Sequence, residues 1–146
     1  MREAEFEKLK GRILHRLRMN LPKHLLYHCA EHTERVLIAA EYIAIQEKIS
    51  GHDLLLLKTA VLYHDIGFLK TDEDHEDEGI AIASAELPGL KFSDTDIETI
   101  CGMIQATRIP QQINKQLEAV IADADLEYLG TPDFEPISQN LFLEII

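Results

Sequence analysis

Glycine and proline are scarce, seven and five in 146 residues. That is too few for the dense turns of a small all-β domain. Cysteine is nearly absent: only Cys29 and Cys101 occur. Two thiols make no disulfide framework in a chain of this size. They point to a reducing compartment and read as small core residues. No apolar run reaches the roughly 20 residues that cross a membrane. The opening MREAEFEKLK is charged from its second position and has no apolar targeting segment. Positive charge is in short supply too. Fourteen Lys and Arg face 26 Asp and Glu, for a formal net charge of −12. An overall basic footprint for nucleic acid is therefore missing, and so is a polybasic membrane patch. These absences predict a cytoplasmic protein. Some of the carboxylates could serve a cation rather than only solvate the surface.

What is present is helical. Hydrophobic residues make up 46% of the chain, enough for one core in a single domain spanning residues 1–146. Stretches rich in Leu, Ile, Ala, Glu and Lys recur with short breaks. They predict helices over about Glu3–Met19, Cys29–Lys48, a third from a Ser50 cap to about Leu69, His75–Leu87, a fifth from a Ser93 cap to about Ala106, and Lys115–Leu129. Ser50 with Asp53, and Ser93 with Asp96, have the spacing of a capping box. Pro110 lies in a loop, and Ile137–Ile146 forms a short last segment. No segment alternates in the manner of a strand. The end, LFLEII, is abrupt and apolar. It either packs as a last helix or marks the edge of a longer domain.

Polar residues interrupt the apolar faces of three of these helices. Leu57, Ala60, Val61, His64, Asp65 and Phe68 share a face at helical spacing. Leu117, Val120, Ile121, Ala124, Asp125 and Tyr128 do the same, and His32 joins Val36, Ala39, Ala40 and Ile43. Two ionised carboxylates in one core are costly unless something neutralises them. A divalent cation would neutralise Asp65 and Asp125 and accept nitrogens from His32 and His64. Asp123 lies two residues from Asp125, about 200° around the helix, so it is exposed or supports the site from behind. The second His-Asp pair, His52-Asp53, sits at a helix start and reads as structural.

These residues fall in an order that resembles the HD-domain superfamily of metal-dependent phosphohydrolases. The resemblance covers about Tyr27–Gly130. It is carried by YHCAEHTERV at Tyr27–Val36, AVLYHDIGFL at Ala60–Leu69 and ADADLEYLG at Ala122–Gly130, with HEDEG at His75–Gly79 and MIQATRIP at Met103–Pro110 between them. It implies an all-α, single-domain helical bundle with the metal between core helices. The implied ligands are His32, His64, Asp65 and Asp125. The Tyr27-His28 pair is similar to that of the cyclic-nucleotide phosphodiesterase branch, where the His protonates the leaving group. His75 could supply a ligand to a second metal, but its expected partner in MIQATRIP is Thr107 rather than His, which favours one metal.

The implied activity is hydrolysis of a phosphomonoester or phosphodiester of a nucleotide or other small molecule. Metal-activated water attacks phosphorus, Asp65 orients that water and His28 acts as general acid. Lys70 and Arg108 follow helices of the site region and are candidates to bind phosphate. Mn, Mg, Fe, Zn, Co and Ni are not distinguished, and the substrate and oligomeric state stay open. The alternative is a metal- or ligand-binding HD module in signalling that turns nothing over.

Overall fold

Helix α3 (Gly51–Tyr63) runs through the middle of the molecule and is buried on every side over its last five residues. Leu57, Ala60, Val61, Leu62 and Tyr63 are all inaccessible to solvent, and Thr59 is buried with its hydroxyl donated to the Leu55 carbonyl at 2.8 Å. Each large side chain in such a place stabilises the fold by about 1.5–3 kcal/mol relative to exposure. A computed structural model describes residues 2–25, 28–71, 73–108, 113–126 and 144. Around α3 pack α1 (Glu3–Asn20), α2 (Ala30–Gln46), α4 (His75–Glu86), α5 (Asp94–Ala106) and α6 (Gln116–Asp125). Two 3-10 turns, Ile66–Leu69 and Leu87–Leu90, follow α3 and α4. The described residues contain no strand, so the architecture is the all-helical one that the sequence predicts.

The helix boundaries agree with expectation except at the sixth, where α6 stops at Asp125 rather than near Leu129, and at the third. The periodicity predicts one helix to about Leu69, with His64 and Asp65 inside an apolar stripe. Instead α3 stops at Tyr63, His64 caps it, and Asp65 leaves helical geometry at φ −112° and ψ 7° before the first 3-10 turn. The stripe itself is too narrow a description, because Leu56, Leu62 and Tyr63 are buried outside it. A helix enclosed by neighbours has no polar face for periodicity to detect. The two Ser caps also differ. Ser93 accepts from the Asp96 amide at 3.1 Å, and Asp96 accepts from the Ser93 amide at 3.3 Å, completing the box. Ser50 occupies the N-cap of α3 without a side-chain bond. Gly51 follows at φ 62°, a left-handed turn that does not present the amides in the usual capping geometry. His52 instead pairs with Asp96 at 2.8 Å and ties the starts of α3 and α5 together. Tyr27, Tyr128, the loop around Pro110 and all of Ile137–Ile146 except Glu144 lie outside the described residues.

The turn after α3 is held by a very close backbone approach. A β-carbon built on Gly67 would stand 1.8 Å from the His75 carbonyl oxygen and 2.9 Å from the Gly79 nitrogen. Gly79 in turn lies against the Tyr63 carbonyl, 3.2 Å from where its own β-carbon would be. Only glycine lets the first 3-10 turn sit on the opening of α4, and that contact sets where His75 points. Gly67→Ala should therefore cost about 3 kcal/mol or more by forcing the two backbones apart. Gly11→Ala, at an exposed position in α1 with nothing within 4 Å, should stabilise by about 0.5–1 kcal/mol. Chemical denaturation of the two variants beside the parent checks both signs.

Candidate metal centre

Three helix ends meet at one buried point. His32 sits in the first turn of α2, His64 caps the C-terminus of α3, Asp65 follows it, and Asp125 is the last residue of α6. Each of the four offers a ligand atom, and these atoms all lie within 4.8 Å of one another. His32 Nε2 is 3.0 Å from Asp125 Oδ1 and 3.3 Å from Asp65 Oδ2. His64 Nε2 is 3.2 Å from Asp65 Oδ2 and 3.3 Å from Asp125 Oδ1. Nitrogen and oxygen ligands bound at about 2.1 Å stand about 3.0 Å apart at octahedral angles and about 3.4 Å apart at tetrahedral ones. The spacing suits a single ion.

The hydrogen bonding points the same way. His64 Nδ1 donates to the Val61 carbonyl at 2.6 Å, which leaves the lone pair of a neutral ring on Nε2. That nitrogen and Asp65 Oδ2 are both buried, and neither makes a well-formed hydrogen bond despite their 3.2 Å separation. Two lone pairs facing each other need a proton or a cation between them. The C-termini of α3 and α6 end at the same point, and their partial negative charge adds to that demand.

Without an ion, protons take that role. Burial disfavours a charged His32 ring, but Asp125 and Asp65 outweigh it and raise its pKa above the ordinary 6.5. Burial likewise opposes a charged His64, yet the same two carboxylates lift it well above 6.5. Burial works against ionising Asp65, but His64, His28 and His32 hold its carboxyl well below 3.8. Asp125 is also held low against burial, by His32 and His64.

The remaining candidates surround this point. A pocket of about 340 Å³ is lined by Asp65 and Asp125, with His28, His75, Thr107 and Arg108 among its other walls. His75 Nε2 lies 3.1 Å from Asp65 Oδ1, so Asp65 turns one oxygen to the four-residue cluster and the other to His75. Thr107 donates its hydroxyl to the Ile104 carbonyl at 2.7 Å. Arg108 reaches across from the end of α5 to Asp74 at 3.0 Å and Asp77 at 2.8 Å, at the start of α4. Lys70 is directed elsewhere: its Nζ lies 3.9 Å from Glu78, and it lines a separate groove with Arg16 and Glu86. Asp123 is exposed, on the opposite side of α6 from the cluster.

Sequence reasoning missed two carboxylates. Glu144 accepts from the His28 amide at 3.2 Å and meets His28 Nδ1 at 3.0 Å, from 116 residues along the chain. Nothing local in the sequence signals a partner so distant. Glu76 is buried, with Oε2 3.3 Å from His75 Nε2. Its only signal was its place directly after His75.

The description "HD domain" matches residues 29–127, more than half of the chain. A solved structure described as a predicted HD superfamily hydrolase from an uncultured Thermotogales bacterium is similar, with a TM-score of 0.75. The two share 24% sequence identity over 95% of this chain and 81% of that one. At that identity the likeness concerns the fold. No curated protein matches the chain.

The pKa pattern has a measurable consequence for the metal-free protein. The two imidazoles titrate above 6.5, so their stabilisation is complete below that pH and is lost as pH rises through the raised values. The two carboxylates titrate below 3.8, so theirs is complete above that pH and is lost as pH falls. Chelator-treated protein should melt at a lower temperature at about pH 9 than at about pH 6. Excess divalent metal should remove that difference by replacing the protons. Equal melting temperatures at the two pH values without metal would contradict this account.

Proposed function

The chain belongs to the HD-domain family, and from that premise we propose that it is a metal-dependent phosphohydrolase acting on a small phosphate ester, such as a nucleotide. The observation that carries the reading is the buried His32–His64–Asp65–Asp125 cluster opening into a pocket that also presents His28 and Arg108. These four residues would hold one divalent ion. Bound there, the ion would supply Lewis acidity toward a phosphoryl oxygen and make water acidic enough to attack phosphorus near neutral pH.

The chain's own groups perform the rest. Asp65 is pinned between the cluster and His75 and orients the nucleophile from a fixed position. His28 has Nδ1 against a carboxylate, which acts only as acceptor once ionised. The ring therefore carries its proton on Nδ1 when neutral, and Nε2 is the nitrogen that exchanges a proton with the leaving oxygen. Arg108 presents a guanidinium at the pocket wall, already gripping two carboxylates, and a phosphate would compete for the same donors. A pocket of about 340 Å³ is of a size that takes a small ester.

Metal-loaded protein should hydrolyse an aryl phosphate ester or a nucleotide from a panel of mono- and diesters. Asp65→Ala should reduce the rate to background and lower metal content by elemental analysis. Glu47→Ala, on the exposed end of α2, should change neither. Metal binding without turnover of any ester would leave a ligand-binding module instead. Failure to load any divalent metal would overturn the reading.

If Arg108 binds phosphate, Arg108→Ala should raise KM by about ten- to a hundredfold, the value of one or two charge-assisted hydrogen bonds. The effect on kcat should be smaller. An unchanged KM would remove Arg108 from the binding role.

A further inference from the structure

The first 3-10 turn brings in a side chain that the reading above does not use. Phe68 is nearly buried, 7% exposed, and is not among the residues that line the pocket. Its ring lies 4.4 Å from the His28 ring at an interplanar angle of 28° and 3.9 Å from the His75 ring at 21°. The two imidazoles are 6.0 Å apart and tilted by 49° to each other. A single phenyl plate therefore supports both. The Phe68 amide donates to the Asp65 carbonyl at 3.1 Å, so the plate is carried on the same turn as the carboxylate. One short segment thus sets Asp65, the plane of the ring that holds Asp65 Oδ1, and the plane of the ring facing the leaving group.

We propose that Phe68 is a positioning residue that fixes the ring planes of His28 and His75. Through them it governs turnover without contributing to metal retention. The turnover part rests on the hydrolase reading of the site. The physical argument is orientational. Edge contacts tie His28 through Nδ1 to Glu144 and His75 through Nε2 to Asp65 and Glu76. An edge contact leaves rotation about the hydrogen-bond direction poorly restrained, whereas a flat aromatic face in van der Waals contact restrains it. Proton transfer to a departing oxygen is steeply sensitive to such misalignment, on the order of 10²-fold for a displacement of about 1 Å. An aliphatic side chain of similar volume fills the space but offers no plane.

The test compares Phe68→Leu and Phe68→Tyr with the parent, using two independent readouts. In steady-state hydrolysis, Phe68→Leu should lower kcat by about 10- to 100-fold with KM and metal content unchanged, and Phe68→Tyr should restore most of the rate. In NMR spectra of zinc-loaded protein, nuclear Overhauser contacts from the carbon-bound ring protons of His28 and His75 to their neighbours in the pocket should weaken in the leucine variant, as the rings reorient, and persist in the tyrosine variant. Those of His32 should persist in both. Wild-type kcat in Phe68→Leu overturns the proposal, as do His28 and His75 ring contacts that persist in it. Parallel loss of metal from Phe68→Leu also overturns it, because the residue would then act on the metal cluster itself. If the parent hydrolyses no ester, the hydrolase reading fails. The histidine ring contacts then decide by themselves whether Phe68 fixes the rings.

Discussion

The rest of this structure depends on how two carboxylates, Asp65 and Asp125, are tolerated in one nearly closed space. Their oxygens approach the same pair of imidazole nitrogens at 3.0–3.3 Å. Removing two like charges from water there is unfavourable unless positive charge comes with them. The chain supplies none in permanent form: no Lys or Arg among the described residues is paired with either carboxylate. Imidazole is the only local answer, and it is a conditional one because it gives up its proton as pH rises. A divalent ion supplies the same charge without that condition.

That constraint explains why helix ends, rather than helix middles, build the site. A residue inside a regular helix points along a direction set by its neighbours, whereas a residue at an end can leave the helical path. His64 and Asp65 use the break after Tyr63, and Asp125 uses the end of α6. The break must be short to keep α3 packed, and it must bring α4 close enough for His75 to reach Asp65. Gly67 against His75 and Gly79 against Tyr63 meet both needs by removing every atom between the backbones. Phe68 then occupies the next position on the same turn. Metal cluster, proton-donor candidate and second histidine are joined through about four consecutive residues.

Much of this was legible in the chain. Helix number, most boundaries and the Ser93–Asp96 cap follow from periodicity and local chemistry, because a capping bond involves groups three residues apart. His32, His64, Asp65 and Asp125 stand out because each is polar where apolar neighbours predict burial, and the exposure of Asp123 follows from the angular step of a helix. The break at Tyr63 was not legible. A helix enclosed on all sides and a helix with one apolar stripe differ little in pattern when the local sequence is as hydrophobic as LLLLKTAVLY. Nor was the choice between Lys70 and Arg108, which both follow a helix and carry the same charge. Only the direction in which each helix ends separates them.

The sequence by itself determined which residue types would conflict with burial, and therefore which residues of this chain could hold a cation. That conflict is local: it is set by the residue and its helical neighbours. Tertiary structure alone decided which distant groups complete the site. Glu144 reaches His28 from 116 positions away, Asp65 divides its two oxygens between the cluster and His75, and Phe68 lies against two histidines from different parts of the chain. Such pairings depend on where helices end in space. Packing around α3 sets those end points, and no periodicity within a single segment encodes them.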